Sequence, residues 1–154
     1  MTIEMREINR SNYEECIALK VRKDQENFVA SNIRSLVEAA YEPELHPLAI
    51  YDDHQMIGFV LYDFDEDIKG WSMSRFMIGE QFQHLGYGKA ALKAFLAYFK
   101  ETYPDVDTLY TSAEVENKIA IQLYETYGFQ RQNVFSYTFG GMNYTEIRMK
   151  LTIH

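Results

Sequence analysis

The chain of 154 residues contains one cysteine, three prolines, no long apolar run and an excess of acid over base. The lone cysteine, Cys16, excludes an internal disulfide and suits a reducing, cytoplasmic setting. Four scattered histidines without ligand spacing argue against a dedicated zinc site, so no metal is expected. The apolar stretch Ile57–Tyr62 is far short of the roughly 20 residues a membrane span requires. The opening MTIEMREINR lacks the apolar segment of a signal peptide. With Lys+Arg at 15 and Asp+Glu at 23, the formal charge of -8 repels phosphate. Nucleic acid and anionic membrane are therefore poor partners.

What is present reads as one globular domain over 1–154. Hydrophobic residues make up 47% and charged residues 25%, with no low-complexity tract or repeat. The apolar period changes along the chain. Residues 2–8 suit a strand. Ser11 and Glu14 have capping-box spacing, which predicts a helix from there toward Val21. Val29, Ile33, Leu36, Val37 and Ala40 share one face of a second helix. Leu48–Tyr51 and Met56–Asp63 form a hairpin across Asp52-Asp53-His54, and Trp71–Ile78 continues the strands.

A long amphipathic helix runs from Gly86 to Tyr103, its apolar side carrying Leu92, Phe95, Leu96 and Phe99, until Pro104 stops it. Thr108–Ala113 is a strand. Asn117 suits the cap of a helix through Tyr127, and Gly128 suits its left-handed terminus. Two strands around Gly140-Gly141 close the chain, the last alternating Ile147, Met149, Leu151 with Glu146, Arg148, Lys150. Three consecutive strands argue against a doubly wound dinucleotide fold; an α/β (α+β) domain with a mixed sheet is expected.

The chemistry concentrates where the strand Phe76-Met77-Ile78 gives way to Gln83-His84-Leu85-Gly86-Tyr87-Gly88-Lys89. Two spaced glycines open a helix there. Small residues admit a ligand close to the backbone, and the free N–H groups with the helix dipole favour an anion such as a diphosphate. Lys89 in the first turn adds a cation. Gly-x-Gly alone is a weak signal: it lacks the third glycine of the dinucleotide fingerprint and the Gly-Lys-Ser/Thr ending of nucleotide hydrolases.

Gln83-x-x-Gly86-x-Gly88 resembles the diphosphate-binding signature of the GNAT superfamily of N-acetyltransferases. Asn117-x-x-Ala120-Ile121-x-Leu123-Tyr124-x-x-x-Gly128-Phe129 is similar to a later motif of the same family, in the expected order and about thirty residues on. The resemblance implies a mostly antiparallel twisted sheet of about seven strands flanked by four helices, with two parallel strands splayed to form a cleft for acetyl-CoA. It further implies that Phe76, Met77 and Ile78 pair with the pantetheine arm. Backbone amides of Gln83, His84, Leu85, Gly86, Tyr87, Gly88 and Lys89 would hold the diphosphate. Asn117 would contact the cofactor from the opposite wall, and Tyr124 would sit near the thioester sulfur. A tyrosine hydroxyl there can protonate the departing thiolate. Two positions depart from the family pattern: His84 and Leu85 replace small and basic residues, and Gly79 stands where an acid is common.

Gln25-x-x-Phe28-Val29-x-x-Asn32-x-x-Ser35-Leu36-x-x-Ala39 and Arg75-Phe76-Met77-Ile78 resemble bacterial spermine/spermidine acetyltransferases within that superfamily, with Ser74 where relatives can carry an acid. Acids at Asp63, Asp65, Glu66 and Asp67, and at Glu38, Glu42 and Glu44, could draw a polyamine. An alkyl ammonium has a pKa near 10, so a base must take a proton. Glu38 and Glu114 are the candidates for base and acceptor binding. Cys16 reads as buried packing, which favours direct attack on the thioester. Alternatives are another acceptor (a protein amino terminus, a lysine, an aminoglycoside), a non-catalytic acyl-CoA-binding module, or an oligomeric scaffold. A homodimer is compatible with the aromatic content.

Overall fold

Residues Met56–Tyr62 are buried without a break. A strand buried on alternate residues has one covered face; an unbroken run requires cover on both. In the computed structural model, which describes residues 1–153, this strand, β3 (Gln55–Asp65), has that double cover. On one face Ile57, Val60 and Tyr62 pack with Leu92, Phe95 and Phe99 of α3 (Tyr87–Thr102). On the other, Met56, Phe59 and Leu61 pack with Cys16 and Leu19. Each large side chain so buried contributes about 1.5–3 kcal/mol.

The remaining strands are β1 (Ile3–Glu7), β2 (His46–Asp52), β4 (Gly70–Ile78), β5 (Thr108–Glu114), β6 (Gln130–Phe139) and β7 (Met142–Thr152). The seven form one sheet in the order β1-β2-β3-β4-β5-β7-β6. All neighbours are antiparallel except β4 and β5. That parallel pairing is short: Trp71 faces Leu109, Ser72 faces Tyr110, Met73 faces Thr111, and there it ends. Its cause lies on the other edge of β4. Leu61 pairs with Arg75 and Tyr62 with Met73, so Ser74 is an extra residue. A bulge bends the strand that carries it, and β4 leaves β5 from this point. Thr111 Oγ1 donates to the Met73 carbonyl at 2.8 Å, at the last rung before the split.

The mixed sheet, the splayed parallel pair and the four helices match expectation, as does the order of elements. The glycine turns also hold. Gly128 has φ +99° just beyond α4 (Lys118–Thr126), and Gly140 and Gly141 both have positive φ in the last hairpin.

The first two helices differ from expectation. α1 is only Tyr13–Ala18 and its N-cap is Asn12, not Ser11. The Asn12 amide instead ties the preceding turn, accepting from Asn9 N–H at 2.7 Å and donating to the Glu7 carbonyl at 3.0 Å. In α2 (Asn32–Tyr41) the buried residues are Asn32 and Ser35, whereas Ile33 and Val37 are exposed. Asn32 turns inward because it meets backbone, its Nδ2 donating to the Cys16 carbonyl of α1 at 3.0 Å, while Leu36 and Ala39 pack half-buried against the same core. Ser31 caps α2, accepting from Arg34 N–H.

Candidate active site

Beyond Met73 and Thr111 the two strands diverge and leave a cleft of about 470 Å³. Its walls include Phe76, Met77 and Ile78 of β4, Ser112 and Ala113 of β5, and Asn117 and Tyr124 at α4. Diverging strands expose backbone donors and acceptors that an extended amide-bearing ligand can pair with as a further strand does.

At one end lies the loop into α3. Gly86 is the N-cap, with φ +88° and no side chain to cap the helix. His84 also has positive φ, +63°. Alternation into the left-handed region turns successive N–H groups to one side and makes an anion-binding concavity. Gly79 contributes by being small: a Cβ there would lie 2.6 Å from a Leu19 methyl, which would have to shift.

Several expected residues line this cleft: Phe76, Met77, Ile78, Gln83, His84, Gly88, Asn117 and Tyr124. Others of the loop do not. Leu85 is 58% exposed, Lys89 is exposed, and the Tyr87 hydroxyl donates to Asp52 Oδ2 at 2.6 Å, far from the cleft. None of these three side chains lines the cleft. Asn117 has two roles, since its Oδ1 accepts from Ala120 N–H at 3.3 Å and caps α4 while the residue lines the wall.

Tyr124 stands on α4, 5% exposed, beside Phe129 with ring centroids 5.7 Å apart. Burial pushes its hydroxyl up to about 12; the Thr111 hydroxyl opposes this and the charge of Glu146 adds to it. The group is protonated throughout the neutral range, as a hydrogen-bond donor requires.

The expected acids are distributed differently. Neither Glu38 nor Glu114 lines the cleft. Burial acts to raise the Glu38 carboxyl, but the guanidinium of Arg75 and then that of Arg34 outweigh it and hold it below the ordinary carboxylate range. An acid held between two arginines is a poor proton acceptor. Glu114 is raised, by burial first and by Glu146 and Glu116 next, against a backbone N–H from Thr145. It is the cross-strand partner of Glu146. The acidic groups Asp63–Asp67 and Glu42–Glu44 also lie outside the cleft wall.

The carboxylates that do line it are Glu26 and Glu146. Glu146 accepts from Ser112 Oγ at 2.7 Å and from the Tyr137 hydroxyl. Beside it stands Tyr137, stacked on Tyr144 at 5.3 Å; Phe139, whose ring is covered by the Arg34 guanidinium at 4.4 Å, lies further along the same wall. Glu146 was visible in sequence only as a polar residue in an alternating strand. Its aim into the cleft follows from the pairing of β7 with β5, a non-local contact. Arg22 was likewise hidden. It lines the cleft from the segment between α1 and α2, where no periodic pattern marks it.

Cys16 is fully buried, and burial followed by the charge of Glu15 pushes its thiol up to about 11. It is packing rather than a nucleophile. Among the described residues no group of three metal-ligating side chains gathers, and no helix is long and apolar enough to cross a membrane.

The split sheet with a glycine-opened helix at its mouth is a cleft shaped for an extended ligand with an anionic end. The model of the Acetyltransferase (GNAT) family matches residues 3–129, and the chain belongs to that family. It is thus an acetyl-CoA-dependent N-acetyltransferase. A search of curated proteins finds no match. Solved structures share the fold. Spermidine N-acetyltransferase from Vibrio cholerae in complex with CoA and spermine is 18% identical, with a TM-score of 0.74 over 98% of this chain and 95% of that one. The ribosomal-protein-S18-alanine N-acetyltransferase from Escherichia coli is 16% identical, with a TM-score of 0.69 over 99% and 94%. An acetyltransferase of the GNAT family from Streptococcus pneumoniae is 16% identical, with a TM-score of 0.71 over 99% and 99%. At these identities the likeness concerns the fold alone.

Proposed function

We propose that this enzyme acetylates a primary amine of a small cationic acceptor, of which polyamines such as spermidine or spermine are the favoured class. The observation that carries the reading is the β6–β7 wall of the cleft, where the Glu146 carboxylate is set beside the stacked Tyr137 and Tyr144. A carboxylate flanked by aromatic faces attracts an ammonium by charge and by cation–π contact, each contact giving about 0.5–2 kcal/mol. The subgroup resemblance in the first third of the chain and the spermine complex of a structural neighbour agree with it.

In this reading acetyl-CoA supplies the thioester. The free edge of β4 at Phe76–Ile78 holds its pantetheine arm, the amides of Gln83 to Lys89 hold its diphosphate, and Asn117 borders it from α4. Glu146, directly or through water, takes the proton that frees the amine. The amine attacks the thioester carbon, the C–N bond forms and the C–S bond breaks. Tyr124 lies where the sulfur departs. With its hydroxyl near 12 and a thiol near 8.5, the proton stays largely on the tyrosine. Tyr124 therefore stabilises the departing thiolate by donating a hydrogen bond, and the proton released from the amine balances the thiol.

The test is thiol release from acetyl-CoA across a panel holding spermidine, spermine, an alanine-terminated peptide, a lysine peptide and an aminoglycoside. Turnover is expected to be highest with a polyamine. Preference for a peptide would overturn the acceptor assignment and leave the acetyl transfer intact. Glu146→Gln is expected to reduce kcat/KM for the amine at least tenfold with the KM for acetyl-CoA near wild type.

A further inference from the structure

The protein carries a formal charge of -8, yet its co-substrate is a polyanion. Somewhere the cleft must offset that repulsion. The loop from Gln83 to Lys89 lacks a cation aimed inward, because its only lysine, Lys89, is exposed and outside the cleft wall. Two arginines line the cleft. Arg75 is engaged by Glu38 and by Ser35 Oγ at 3.0 Å. Arg22 is at the other end. Its Nη1 lies 3.0 Å from Gln83 Oε1 and 3.0 Å from His84 Nε2, the first two residues of the glycine loop.

The position of Arg22 is braced. Gln83 Nε2 donates to the Ile78 carbonyl at 3.0 Å and to Gln25 Oε1 at 2.9 Å. The same Gln25 oxygen accepts from the backbone N–H of Arg22 at 3.0 Å. A closed ring of hydrogen bonds thus joins the end of β4, the loop before α3 and the segment between α1 and α2. Arg22 Nε reaches Asp24 at 3.2 Å. Its Nη2 has no protein partner among the described residues, which leaves donors of a planar fork beside an anion-binding loop. A guanidinium suits phosphate oxygens because two parallel N–H groups match them.

We propose that Arg22 is a phosphate-binding residue for the diphosphate of acetyl-CoA, supplying from outside the loop the charge that His84 and Leu85 do not. The assignment rests on the reading of this cleft as the acetyl-CoA site. It makes the segment between α1 and α2, whose Phe28–Ser31 portion also lines the cleft, part of both substrate sites.

The test compares Arg22→Gln and Arg22→Lys with the wild type, by calorimetry with CoA and by KM for acetyl-CoA and for S-acetylpantetheine, which has no diphosphate. Arg22→Gln is expected to weaken CoA at least tenfold, with Arg22→Lys recovering part of the loss, while kinetics with S-acetylpantetheine match wild type. CoA affinity within twofold of wild type in Arg22→Gln overturns the proposal. So does an equal loss with S-acetylpantetheine, which would make Arg22 a brace for the loop and nothing more. Failure of the wild-type chain to bind CoA would instead remove the underlying reading of the cleft.

Discussion

Strands β3 and β6 are of similar length and lie on opposite sides of the cleft, yet β3 is buried over seven consecutive residues and β6 is almost wholly exposed. The first is covered by helices on both faces; the second is the sheet's outer strand, with β7 as its single neighbour. The difference separates two tasks. In the proposed reading acetyl-CoA is held by the end of β4 and the start of α3, both anchored on the doubly covered core. In the same reading the acceptor is met by Tyr137 and Phe139 of an edge strand, whose repacking leaves that core undisturbed. Acceptor choice is therefore the property of this molecule that is easiest to change, and the acyl donor the hardest.

The sharpest way to break this contrast is in the core. Phe59 is 1% exposed beneath the sheet. Phe59→Ala is expected to cost about 3–5 kcal/mol of stability in urea unfolding. A cost under 1 kcal/mol would mean that β3 is not the framework described.

Next in size is Tyr124, where the two regions meet. Tyr124→Phe is expected to lower kcat on the order of 100-fold with the KM for acetyl-CoA little changed, since a single preorganised donor to the developing charge is lost. The same variant tests the perturbed hydroxyl. A folded pKa near 12 against about 10 unfolded gives stability that is complete below pH 10 and lost as pH rises toward 12. The loss amounts to roughly 2–3 kcal/mol. Alkaline denaturation of Tyr124→Phe should therefore be shallower than that of wild type by about this much; parallel curves would mean that the hydroxyl is not desolvated.

The smallest effect belongs to β6. Phe139→Ala is expected to change stability by no more than about 0.5 kcal/mol, as an exposed side chain does, while raising the amine KM several-fold. Equal KM values for polyamine in the two proteins would detach β6 from acceptor binding.

The parts of this architecture legible in sequence are those with local causes. The unbroken apolar run of β3, the glycines at 128, 140 and 141, and the amphipathic stripe of α3 each announce themselves within a few residues. The glycine loop and the block around Tyr124 were legible for the same reason. Two things were not. One is the buried face of α2: periodicity groups Ile33 and Val37 with Leu36 but cannot reveal that Asn32 turns inward to the Cys16 carbonyl. Which acids line the cleft is the other. Glu38 and Glu114 are acids that spacing alone cannot sort from surface ones, whereas the aim of Glu146 depends on the non-local pairing of β7 with β5 and on the Ser112 hydroxyl thirty-four residues away. Arg22 falls in this second class, marked by a long-range hydrogen bond and by no local pattern.

The cleft's occupancy by the acyl carrier is most directly read from backbone amide resonances titrated with CoA. Located where the structure opens, binding should shift the amides of Phe76–Ile78 and Gln83–Lys89 most, with Ala120 beside its Asn117 cap following, and leave those of β1 and β2 still. Shifts centred elsewhere, or none at saturating ligand, would contradict the account.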